Sequence, residues 1–346
     1  MSIPIQNIYY LLCYAWNKLD EKDKVSIDLE DDTKLVDLFA KLLISSSSML
    51  LKRGLEHNYI PVTEERVGVR GKLEVSASIK ANSFQHLKAI CSFDEYSADI
   101  LHNQILVTTL YRLLYTRNLN TTLKEKIRKL LRMFPPIKII ELSPAVFQKI
   151  RIHRNNRFYE FILNICRMVY DYSLPTESKG EWLFTDFTRD EKRMAYLFEN
   201  FVYRFYKIEA PHLKAKRDHI RWNFLSDNPA NEQYLPLMKT DITLPGASPK
   251  IIIDTKYYQD TMRENYNKET VKSENLYQLF SYLLNQEDGT VDSAKAKGIL
   301  LYPTIHQEYN LHYRYRQHEI QIKTVNLNTH WSEIEKRLMQ VVGENY

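Results

Sequence analysis

Lys250-Ile251-Ile252-Ile253-Asp254-Thr255-Lys256 decides the fold class, read together with Asp241-Ile242-Thr243-Leu244 just upstream. Both runs are rich in β-branched residues. Pro245-Gly246-Ala247-Ser248-Pro249 between them is turn chemistry, so the simplest local structure is a pair of neighbouring strands. Side chains on a strand alternate between faces. Ile252, Asp254 and Lys256 therefore share one face of the second strand, and Ile251 and Ile253 take the other. An aspartate and a lysine then sit at the end of a buried strand, with a second aspartate on the partner strand. Two carboxylates can hold a hard divalent cation, and the lysine can position or activate a water. The spacing predicts a metal-dependent hydrolase core.

Upstream, Met194, Leu197, Phe198, Phe201, Val202, Phe205 and Ile208 recur at helical spacing and carry Glu199 beside the apolar stripe. Downstream, Gln278 and Tyr282 stand one turn apart on a helix expected over 274–285. Strands over 298–302 and 318–327 and a helix over 331–342 follow. This order of elements is α/β with a mixed sheet flanked by helices. The first part of the chain reads as α+β. Its expected helices cover 8–16 (aromatic and buried in the first domain), 34–53 (ended by Gly54), 95–117, 121–133 and 158–172. Residues 59–79 are expected to be β-structure turning at Gly68-Val69-Arg70-Gly71. The domains are expected at 1–155 and 156–346, with a soft border.

The composition is that of an ordinary globular chain, with 48 basic and 43 acidic residues and a net charge of +5. Cys13, Cys91 and Cys166 are far apart in sequence and form no CxxC, which fits a reducing compartment and no disulfide framework. The apolar run at 8–16 is too short to span a membrane, and no basic segment precedes it, so a soluble cytoplasmic protein is expected. Residues 20–37 are acidic, and 117–138 and 204–221 are basic. Lys214, Lys216 and Arg217 follow the Glu199 helix and are candidates for a track that contacts DNA phosphates. Gly68-x-x-Gly71-Lys72 has the wrong gap for a phosphate loop and is followed by Leu73 instead of Ser or Thr, so the chain itself is expected to bind no nucleotide. His306, His312 and His318 recur every six residues, which matches no metal-ligand spacing. Residues 309–318 alternate as a strand with one wet face.

Asp241, Asp254-x-Lys256 and Gln278-x-x-x-Tyr282 together resemble the PD-(D/E)xK nuclease core in its RecB-type branch. A wider series extends the likeness essentially end to end. It comprises Ile3-Pro4-Ile5-x-Asn7-Ile8-Tyr9-Tyr10, Gly68-Val69-Arg70-Gly71-Lys72-Leu73, Met238-x-Thr240-Asp241, Asn275-Leu276-Tyr277-Gln278, Leu300-Leu301-Tyr302-Pro303 and Thr324-Val325-Asn326-Leu327. In this order the chain resembles the McrC family, nuclease subunits of McrBC systems that restrict DNA containing modified cytosine. The resemblance implies a Mg2+-dependent endonuclease in which Asp241, Asp254 and Lys256 are catalytic and Gln278 and Tyr282 support them. Asp241 and Asp254, with Glu199 as a possible third ligand, would hold the metal. It also implies a hexameric AAA+ GTPase partner that reads the modified double-stranded DNA. A stem around Arg70, Gly71 and Lys72 would enter that partner. Two other readings stay open: a stand-alone RecB-like repair nuclease, and a non-catalytic activator of an AAA+ NTPase.

Overall fold

The computed structural model describes residues 3–16, 34–176, 178, 180–258, 263–265, 268–287, 291–305 and 308–344. Most of the acidic stretch 20–37 lies outside these residues, as does His306. Along the chain the elements are α1 (Ile5–Ala15), α2 (Leu35–Arg53), β1 (Asn58–Val67), β2 (Lys72–Leu73), α3 (Val75–Lys80), β3 (Lys88–Ser97), α4 (Leu101–Leu114), α5 (Thr121–Leu131), α6 (Pro144–Gln148) and α7 (Phe158–Asp171). Next come β4 (Ser173–Pro175), β5 (Trp182–Phe184), α8 (Glu191–Glu209), β6 (His219–Ile220), β7 (Met238–Lys239), β8 (Ile242–Leu244), β9 (Ile251–Thr255), β10 (Arg263–Asn265) and β11 (Lys268–Thr270). The last are α9 (Ser273–Asn285), α10 (Val291–Ala294), β12 (Lys297–Thr304), β13 (Asn310–Tyr315), β14 (His318–Asn326) and α11 (Trp331–Val342). Among the described residues no helix is long and apolar enough to cross a membrane.

The chain divides into two compact units, Leu35–Thr185 and Met1–Lys34 with Asp186–Tyr346. The break therefore falls thirty residues beyond the expected 155/156 border. The reason is α7, whose buried stripe of Phe161, Ile162, Ile165 and Val169 packs with α2 and α4. The first helix also belongs to the other unit from the one expected. Tyr14 of α1 lies edge-on to Phe201 of α8, with ring centroids 5.6 Å apart, and donates a 2.6 Å hydrogen bond to Glu209 Oε1. Tyr10 stacks on Trp331 at 4.5 Å, and Asn7 Nδ2 donates to the Leu327 and Thr329 carbonyls. Local periodicity marks a helix with an apolar face but does not say which core buries it.

In unit Leu35–Thr185, helices α2, α4, α5 and α7 pack together, and β1, β2 and β3 form a three-stranded ribbon. β1 pairs antiparallel with β3 from Asn58↔Ser97 to Val67↔Lys88, and β2 lies on the other side of β3. Ten residues of strand span roughly 33 Å. Gly68–Gly71 is thus not the turn of a β1–β2 hairpin, because β3 stands between those strands. The expected β-run to residue 79 ends early in α3, and the expected helix from 95 is strand to Ser97. Asp94 and Glu95 ahead of an apolar run look like a helix start, yet cross-strand pairing takes them into β3.

The second unit is built on a five-stranded mixed sheet in the order β13-β14-β12-β9-β8. β12 runs parallel to both β9 and β14, and the outer pairs are antiparallel. Every residue of β9 is buried, as expected of a strand covered on both faces. On the face that carries Asp254, Ile252, Leu300, Tyr302 and Ile322 pack against Leu279, Tyr282 and Leu283 of α9. Gly298 of β12 permits this approach, since a Cβ there would lie 2.9 Å from Leu283 Cδ1 and 3.0 Å from Leu279 Cδ2. The expected β8–β9 hairpin is present. Its Gly246 is required because a Cβ would run into the His212 carbonyl and the Leu213 backbone.

Candidate functional site

β8 and β9 pair through Ile242↔Ile253, so the same register carried one step further sets Asp241 opposite Asp254. Asp241 itself lies just outside the strand and is half-buried, whereas Asp254 is fully buried. Asp241 Oδ2 accepts two 2.8 Å hydrogen bonds, from the Thr255 N–H and from Thr255 Oγ1. Lys256 Nζ lies 2.8 Å from Asp254 Oδ2 as an ion pair without hydrogen-bond angles, so both Asp254 oxygens are buried with no hydrogen-bond donor. A buried carboxylate in that state is costly unless something compensates it.

Lys256 is held from α9. Its ammonium donates to Gln278 Oε1 at 2.8 Å, Gln278 Nε2 donates to Tyr282 OH at 2.6 Å, and Tyr282 OH donates to the Lys239 carbonyl at 2.8 Å. The chain of donors gives the Gln278 amide a single orientation and returns to β7, two residues before Asp241. A lysine ammonium has three donors. Gln278 engages one of them, and Asp254 meets the ammonium as an ion pair only, which leaves donor capacity for a water or a phosphate oxygen.

The carboxylates affect one another. Burial, then the Asp241 charge and more weakly Glu199, push Asp254 up to about 7 against the pull of Lys256. Glu199, on α8, is also raised, by burial and then by Asp241, while Arg217, Lys239 and Lys256 oppose the rise. Tyr282 is pushed up to about 12, mainly by burial, and stays a neutral donor. Glu199 is already paired: Arg217 Nη2 donates to its Oε1 at 2.7 Å and to Asn200 Oδ1 at 3.1 Å, and the guanidinium lies over Tyr203.

Among the described residues no three His, Cys, Asp or Glu side chains already form a metal-binding cluster. The donor set nevertheless suits a hard divalent cation. It offers two orphaned oxygens on Asp254 and Asp241 across the hairpin, with a third carboxylate close enough to be felt electrostatically.

The basic candidates are less free than the sequence suggested. Arg217 is committed to Glu199, and Lys216 pairs with Asp218 at 2.8 Å, while Lys214 is exposed at a left-handed position. At the ribbon, Arg70 is exposed with its guanidinium 4.2 Å from the Phe93 ring centroid, and Lys72 pairs with Glu74 at 3.1 Å. Gly71 has φ +68, and a Cβ there would meet Ser92 O at 2.5 Å and Phe93 Cβ at 2.7 Å. Around this end Val67, Val69, Ile79, Phe84 and Leu87 are all exposed, a set that sequence reading passed over. Thr255 was also missed, because strand alternation assigns it to the face away from Asp254.

The McrBC 5-methylcytosine restriction system component family matches residues 6–303. The chain is 33% identical over 344 residues to a protein described as the type IV methyl-directed restriction enzyme EcoKMcrBC of Escherichia coli (strain K12), covering 99% of this chain and 98% of that one. Its fold is similar to a chain in the half-complex of the tetradecameric assembly of Thermococcus gammatolerans McrB AAA+ hexamers with bound McrC. That match has a TM-score of 0.56 at 19% identity and covers 98% of this chain and 75% of the other.

Proposed function

Because this chain belongs to the McrBC 5-methylcytosine restriction system component family, we propose that it is the DNA-cleaving subunit of such a system, with a PD-(D/E)xK site in its second unit. The observation that carries this reading is Asp254: buried, without a hydrogen-bond donor on either oxygen, and 2.8 Å from the Lys256 ammonium. A group that costly to bury, in a cluster of like charges, marks a functional site more readily than a structural one.

Asp241 and Asp254 would hold Mg2+, with Glu199 joining once Arg217 releases it. The cation, when bound, supplies charge neutralisation at the scissile phosphate and a more acidic attacking water. Lys256 directs an N–H at that water or at the phosphate as charge develops. Gln278 and Tyr282 keep the ammonium aimed, and burial of Asp254 keeps bulk water from screening it. Lys214, exposed, is the freest of the three basic candidates to meet the DNA backbone.

The ribbon of the first unit is the proposed stem for a hexameric AAA+ GTPase partner, which selects double-stranded DNA carrying modified cytosine. Arg70 and Lys72 supply charge there, and Val69 and Leu87 supply apolar contact. Gly71→Val forces a β-branched side chain into a left-handed backbone against Ser92. Stimulation of the partner's GTPase should fall by about tenfold or more, as expected if more than about 1.4 kcal/mol of contact or local order is lost. Melting of the second unit should be unchanged.

The intact set of Asp241, Asp254 and Lys256 argues against one rival, a non-catalytic activator. Cleavage of long modified and unmodified duplexes, with Mg2+ and GTP and with or without the partner, separates the readings. The proposed function expects cutting only when modified DNA, partner, GTP and Mg2+ are all present. Cutting by this chain and Mg2+ alone would make it a stand-alone nuclease, and GTPase stimulation without any cutting would make it an activator.

A further inference from the structure

Thr255 stands between Asp254 and Lys256, and no step above uses it. Its N–H and its Oγ1 converge on the same oxygen of Asp241, each at 2.8 Å, and the residue is buried on β9. Neither donor goes to Oδ1. This arrangement matters because Asp241 sits among like charges, with Asp254 and Glu199 both disfavouring a nearby negative group. A half-buried carboxylate so placed gains by rotating towards water, unless donors hold it. Two neutral donors hold it here without adding a cation that would compete with a metal.

We propose that Thr255 is the positioning residue for Asp241: it fixes the carboxylate through Oδ2 and thereby reserves Oδ1 for the divalent cation. This rests on the reading of Asp241 and Asp254 as the cation's ligands. The β-branched threonine is suited to the role. Its methyl group fits a fully buried strand, and its χ1 is stiff enough to keep the hydroxyl aimed. Partners that orient metal ligands typically change metal affinity about 10- to 100-fold when removed.

Thr255→Val keeps the shape and deletes only the hydroxyl, whereas Thr255→Ser keeps the hydroxyl. Binding of Ca2+ and Mg2+ to the full chain is measured by calorimetry, and the Mg2+ half-saturation of cleavage is measured in the complete system. Thermal melting without metal serves as the fold control. The expected result is weaker cation binding by Thr255→Val, by about tenfold or more. Half-saturation should rise in parallel, metal-free melting should be little changed, and Thr255→Ser should restore both constants. If the valine variant does not fold, Thr255→Ala repeats the comparison with the same pairing to serine. Valine and alanine variants that bind the cation as tightly as the parent overturn the proposal and leave the ligand assignment intact. So does a serine variant as impaired as valine, since the hydroxyl then has no special part. A parent chain that binds no divalent cation overturns the ligand assignment itself, and this inference with it.

Discussion

Lys256→Ala and Asp254→Asn should each reduce DNA cleavage by about 10²–10³-fold or more, the scale of losing a main electrostatic contact to a transition state. Both variants should still stimulate the partner's GTPase. The asparagine is nearly isosteric with the aspartate and places a neutral group in a site where the charge is disfavoured. The nuclease unit should therefore stay folded, and the loss can be assigned to chemistry. Lys256→Ala removes the only cation in direct contact with Asp254 among the described residues, so its stability should be measured alongside its activity. Cleavage by either variant at the parental rate, under saturating Mg2+ and GTP, would sink the site assignment.

The second large effect is a pH dependence of the cation-free protein. The Asp254 carboxyl ionises near 3.8 in the unfolded chain and near 7 in the fold. Between those values the folded protein keeps a proton that the unfolded chain has lost. The stability from this group is therefore complete below the lower value and is lost as pH rises through the upper one. Asp254→Asn cannot titrate, so at about pH 8 in EDTA it should melt higher than the parent, by about 2 °C or more, and the gap should close towards about pH 4. Mg2+ should raise the melting temperature of the parent at about pH 8 and affect the variant much less, because an ion that binds only the native state stabilises it. Thermal melts across this range, with and without Mg2+, give the answer. Parallel curves for parent and variant at every pH would mean that Asp254 is not a strained carboxylate.

The sequence alone determined the pieces whose signals are local. Helices α2, α8, α9 and α11 were legible from apolar residues at helical spacing, and the β8–β9 hairpin from two β-branched runs around a Pro-Gly turn. Asp254 and Lys256 on one face followed from strand alternation, and Gln278 one turn before Tyr282 from helix geometry. Those relations span a few residues and are set by backbone periodicity, which tertiary context does not change.

Tertiary structure decided what depends on contacts between residues distant in sequence. The parallel pairing of β12 with β9 and β14, the place of α1 against α8, and the β3 strand that separates β1 from β2 all follow from which apolar faces bury one another. No local period encodes that choice. The same holds for the site's electrostatics. Arg217 reads as a free cation in a basic run but spends its charge on Glu199. Asp254 reads as a candidate metal ligand at a strand end, but only the packing decides that burial takes away its water and that α9 supplies no donor in return. Thr255 reads as facing away, yet Asp241 leaves the end of its own strand and comes within reach of that threonine's amide and hydroxyl. Sequence determined which groups are present and how neighbours along one element are spaced. Desolvation and long-range packing decided which of them meet, and so which charges remain available for chemistry.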